Sequence, residues 1–156
     1  MGTLSKSVLV FAALLALSSA ERALAQDAGT QGHACGRADF EAVVEEAAGV
    51  LRDLNNHNKP AFQEKLRALK EKRGWTHDQF MKEAVPFVRD EKIEVFDQST
   101  DELLNAIATL GQEGAAAAKP DCALLLELRA RMKVLVDTQT SKWSYMFEKI
   151  GNALAK

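Results

Sequence analysis

The sequence predicts an all-α fold: an antiparallel bundle of four to five helices, with a long C-terminal helix, clipped by one disulfide. Three observations carry this expectation. Apolar residues recur at three-four spacing in successive segments between residues 38 and 154, the period of a helix with one buried face. Helix caps and breakers punctuate those segments. Two cysteines, Cys35 and Cys122, stand in a chain whose N-terminus reads as an export signal, and in oxidising compartments such a pair forms a bridge.

The export reading rests on order. Lys6 gives a positive start, Val8 to Leu17 is an unbroken apolar run, and Ala23-Leu24-Ala25 supplies small residues before Gln26. That is the layout of a signal peptide over 1–25, with an apolar run too short to span a bilayer. Cleavage would leave about 131 residues and a net charge of about −3, one domain by size. Residues 26–37 are Gly-rich and polar, a flexible lead-in, and 38–156 form a single helical domain. The expected location is outside the cytoplasm: the periplasm first, the extracellular space second. Nucleic acid is excluded as a partner, because it calls for a concentrated positive surface. No membrane span is expected after cleavage.

Each element follows in order. Phe40, Val43, Ala47, Leu51 and Leu54 form one stripe from Ala38 to Leu54, which "NNHNKP" should end, since Pro60 removes a helix donor. A second helix should open at Pro60 and run to Arg73 on Phe62, Leu66 and Leu69, with Gly74 as its cap. The first stretch is acidic and the second basic, so an antiparallel hairpin with complementary charge is expected. Thr76 with Gln79 makes a capping box for a helix that Pro86 breaks. Ile93-Glu94-Val95 alternates like a strand, but a lone strand has no partner, so a helical continuation is expected. Ser99 with Glu102 makes another capping box, for a helix ending at Gly111, and "GQEGAAAAKP" then reads as a loop. The last helix should open at Pro120 and reach Leu154. Leu125, Leu128, Met132, Leu135, Gln139, Trp143, Met146 and Ile150 share its stripe. A helix of ~35 residues is about 50 Å long, so a bend near 138–141 or a protruding end is expected.

Few side chains offer chemistry. His33-x-Cys35 with Asp39 is short of a zinc ligand set, and no second Cys/His cluster completes it. Neither a metal nor a cofactor is expected. Signatures of haem attachment, dithiol exchange, serine nucleophiles and phosphate loops are absent. No catalytic residue can be picked. The cysteines are assigned to a Cys35–Cys122 bridge. Four residues of the last helix are binding candidates. Tyr145 lies off the apolar stripe on a face shared with Val134, and tyrosine is enriched where partners dock. Gln139 interrupts the stripe and needs a hydrogen-bond partner if buried. Trp143 lies beside it.

The expected function is that of an exported, non-enzymatic helical binding protein of the cell envelope, whose partner is another envelope protein. The alternative is a carrier holding a small apolar ligand in the bundle beside Met132, Gln139 and Trp143. The third is an enzyme of unrecognised type.

Overall fold

A computed structural model describes residues 35–119 and 121–156. The expected signal peptide, nearly all of the expected lead-in, His33 and Pro120 lie outside the described residues. Five helices follow one another: α1 Arg37–Arg73, α2 His77–Glu83, α3 Val85–Val88, α4 Glu91–Ala116 and α5 Cys122–Ala155. Three of them are long. Among the described residues no strand occurs, and Ile93 to Val95 lie in the first turns of α4.

The expected hairpin at "NNHNKP" is not formed. One helix of 37 residues runs through it, with Pro60 inside. The stripe explains why. Phe40, Val43, Ala47, Leu51, Leu54, Asn58, Phe62, Leu66 and Leu69 keep three-four spacing across the proline, so packing on α5 continues in phase. Pro60 and Asn56 are both exposed. Water can therefore bond the Asn56 carbonyl, whose helical donor proline removes. The charge complementarity expected across a hairpin does not arise. The basic last turn of α1 serves another helix end instead: Lys72 Nζ donates to Leu154 O at 2.5 Å and Arg73 Nη2 to Ala153 O at 3.3 Å. Those carbonyls end α5 and carry the negative pole of its dipole.

The caps confirm part of the local reading. Gly36 N–H donates to Asp39 Oδ2 at 2.9 Å and opens α1. Gly74 closes it at φ 64°, a left-handed conformation that glycine adopts freely. Thr76 and Gln79 form the reciprocal capping box of α2. The cap of α4 is Asp90, which accepts from Ile93 N–H at 2.8 Å, so Ser99 is not a helix start. Glu102 accepts from Gln98 within the helix. The end of α4 also differs from expectation. It passes Gly111 and reaches Ala116, because Leu110 and Gly114 extend its buried face.

The long helices run up, down, up. At one end the Cys35–Cys122 disulfide joins the starts of α1 and α5, with Cα atoms 5.0 Å apart. At the other end Lys72 and Arg73 meet the last carbonyls of α5. Hence α1 and α5 are parallel and in step, about 87 residues apart in sequence. Gln139 meets Thr100 and Tyr145 meets Asp90, so α4 runs antiparallel to both. The α5 helix is unbroken over 34 residues. Neither a break nor a free end is needed, because α1 is as long and lies alongside. The hydroxyls of Thr138, Thr140 and Ser144 bond carbonyls four residues back. Hydroxyls that could compete with the backbone are satisfied within the helix.

Two apolar clusters fill the bundle. One holds Phe40, Val43, Ala47, Ile107, Leu110, Leu125, Leu128, Met132 and Leu135 beside Cys35. The other holds Phe62, Leu69, Ile93, Met146 and Ile150, with Trp75, Phe87 and Trp143 packed on it. Leu128 and Ile150 are each wholly enclosed. Burial of such a side chain stabilises by about 1.5–3 kcal/mol. Between the clusters lies a polar layer. Gln139 Nε2 donates to Thr100 Oγ1 at 2.6 Å, and Trp143 Nε1 donates to Asn55 Oδ1 at 3.2 Å. Lys142 pairs with Asp97 at the same level.

Candidate functional site

Three of the four binding candidates are engaged inside the chain. Gln139 belongs to the polar layer: its amide donates to Thr100, whose own hydroxyl donates to Phe96 O at 2.7 Å. Trp143 belongs to it through Asn55, while its ring packs on Phe62 at 6.0 Å between centroids. Tyr145 sits against the start of α4. Its hydroxyl donates to Asp90 Oδ2 at 2.8 Å. Lys92 Nζ lies 4.3 Å from its ring centroid, and Phe96 packs at 6.5 Å. Val134, about three turns earlier on α5, is 49% exposed. The expected Val134/Tyr145 face is therefore divided. Its Tyr145 end is covered by α4, because the α4 cap needs a donor there. Only its Val134 end is open.

The Tyr145 neighbourhood is an ionic clasp. Asp90 Oδ2 accepts from both Tyr145 and Lys149, and Lys149 also donates to Pro86 O at 2.6 Å. The Lys149 ammonium, and then the Ile93 N–H, hold the Asp90 carboxyl at about 2, below its ordinary 3.8. The hydrogen bond to that carboxylate pushes the Tyr145 hydroxyl up from 10.0. One lysine and one tyrosine of α5 thereby fix the α3–α4 corner.

The cysteine corner has the same structural character. Cys35 is bridged to Cys122, and Asp39 caps α1. Among the described residues no group of three or more His, Cys, Asp or Glu side chains could hold a metal ion. Nor is any helix among them long and apolar enough to cross a membrane.

Open grooves occur among the described residues, two of them beside α1. The larger, about 500 Å³, lies between α1 and α5. Val43, Ala47, Val50, Met132 and Val136 form its apolar lining, with Glu46 on the α1 rim and Arg129 and Lys133 on the α5 rim. Val50 is 46% exposed there. Lys133 pairs with Asp137 along its own helix, while Glu46 and Arg129 make no ion pair among the described residues. The smaller groove, about 330 Å³, lies between α1 and α4 over Phe40, Val44, Gly111 and Ala115.

The α1/α5 groove was not legible in the sequence. Val50 falls within the apolar stripe of its segment and reads as core. Val136 adjoins Leu135 and widens the stripe of α5. Only the parallel pairing of α1 with α5 turns those two valines into opposite walls of one cleft. The signal available was the width of each stripe, since residues at its edges become groove walls. No protein-family model, no curated protein and no solved structure matches this chain.

Proposed function

We propose that this chain is an exported, non-enzymatic binding protein of the cell envelope that engages a protein partner through the groove between α1 and α5. The observation that carries the reading is that groove. An exposed apolar wall at Val50 is flanked by an anion, Glu46, and a cation, Arg129, neither of them ion-paired among the described residues. Apolar surface rimmed by charge is the composition of a docking site. Gln139, Trp143 and Tyr145 are half-buried and already hydrogen-bonded within the chain, which leaves their polar groups less available to a partner than the open groove. The export part of the proposal rests on the signal-like N-terminus and is supported by the Cys35–Cys122 bridge, which persists in oxidising compartments such as the periplasm.

A photo-crosslinking residue at Val50, compared with one at Leu126, tests the reading in the native host. Leu126 is apolar and 65% exposed but outside the groove. The expected result is a discrete protein adduct from position 50 and none from 126. Equal adducts from both, or none from either, would count against the groove. Met132 in the lining favours a second reading, a carrier for a small apolar ligand, since the volume is within the ~300–1,000 Å³ of ligand pockets. Native mass spectrometry of protein from its own host would show added mass in that case.

A further inference from the structure

We infer that the α1/α5 groove receives a second copy of this chain, in a dimer whose two-fold axis runs parallel to α1 and α5. This rests on the proposed role of the groove and names its occupant. The arrangement of charge along the groove favours this occupant. The disulfide sets α1 and α5 in step at an offset of about 87 residues. Glu46 is therefore level with Lys133, and Val50 is level with the Val136–Asp137 step. The anionic rim lies on α1 and the cationic rim on α5.

A two-fold axis along the groove lays α1 of one copy over α5 of the other, at equal height. Glu46 then faces the Arg129–Lys133 turn of the partner, and Val50 faces Val136. Each contact occurs twice, as an isologous interface requires. An axis across the helices would lay α1 on α1, anionic rim against anionic rim, and α5 on α5, cation against cation. The charge pattern selects the first arrangement by penalising the second. The helices are about 50 Å long, enough to supply the roughly 800 Å² per partner of a stable interface. A formal net charge of −2 offers little bulk repulsion between copies.

Sedimentation of the disulfide-bonded protein over a concentration series tests this. Three proteins are compared: the wild type, Glu46→Arg, and the double variant Arg129→Glu with Lys133→Glu. All three sites are on the groove rim, and circular dichroism verifies that each variant is folded. The wild type should dimerise. Each variant alone sets like charges together and should dimerise at least about tenfold more weakly. An equimolar mixture of the two variants restores both sets of opposite charges and should recover the dimer. A wild type that stays monomeric to ~500 µM, variants that dimerise like the wild type, or a mixture that stays monomeric would each overturn the inference. The crosslinking at Val50 separates the two proposals. An adduct to a different protein with a monomeric wild type sinks the dimer and keeps the groove, while no adduct at all sinks both.

Discussion

Two residues show how far side-chain identity constrains this bundle. Phe40 packs its ring directly on Gly114: a Cβ there would lie 2.3 Å from a ring carbon. Gly111, one turn earlier, has open space at that position. Gly114→Ala should therefore destabilise by about 1–3 kcal/mol through overpacking, while Gly111→Ala should stabilise by about 0.5–1 kcal/mol through helix propensity. Urea denaturation of both variants checks the contrast. In the sequence both glycines read as loop punctuation, because nothing local announces that a phenylalanine 74 positions away needs one of them. The capping box of Thr76 with Gln79 was legible because its hydrogen bonds span three residues. Asp90 also caps over three residues, but a helix expected to continue through Ile93 offered no start for it to cap, and its clasp depends on Tyr145 and Lys149 arriving from α5. Its carboxyl is held at about 2 against 3.8, so its contribution is fully present above pH ~4 and lost as pH falls through ~2. Acid titration of stability should accordingly be shallower in Asp90→Asn than in the wild type between those values. Equal slopes would mean the clasp does not hold the α4 start.

At the scale of elements, α1 is where local signals and tertiary packing disagree. "NNHNKP" carries several features that end helices, yet the apolar period continues through Asn58 to Phe62. Asn58 Nδ2 donates to Leu54 O at 2.9 Å, a side-chain bond back to its own helix. Packing against α5 on both sides of the proline outweighs its local cost, a tertiary override of propensity. That cost should still be measurable. Pro60→Ala restores a backbone donor at an exposed site and should raise stability by up to about 3 kcal/mol, read from the denaturation midpoint. No gain, or a loss, would indicate that Pro60 opens a helix rather than interrupting one. The same override operates in α5, whose Thr- and Ser-rich middle stays helical because Gln139 and Trp143 are held in the polar layer.

For the whole molecule, the fold class and the disulfide were legible, and the pairing of helices was not. The expectation of export and the presence of two cysteines sufficed to predict Cys35–Cys122. A break at Pro60 would have made the bundle a chain of short hairpins, whereas an unbroken α1 makes α1 and α5 parallel rods with one clip. The clip closes a loop of 87 residues, for which chain entropy gives about 4–5 kcal/mol. Intact mass should show no alkylation before reduction and two adducts after it, and the double Cys→Ser variant should melt well below the wild type. The contacts of Lys72 and Arg73 with the end of α5, and the packing of Phe62 and Leu69 in the second cluster, depend on α1 being continuous. The most direct test is therefore a distance along α1. Spin labels attached by non-cysteine chemistry at the exposed Glu41 and Lys65 are 24 residues apart. Electron–electron resonance should give one distance near 36 Å, at 1.5 Å rise per residue. A dominant distance below about 20 Å would mean the chain turns back at "NNHNKP", and would contradict the account.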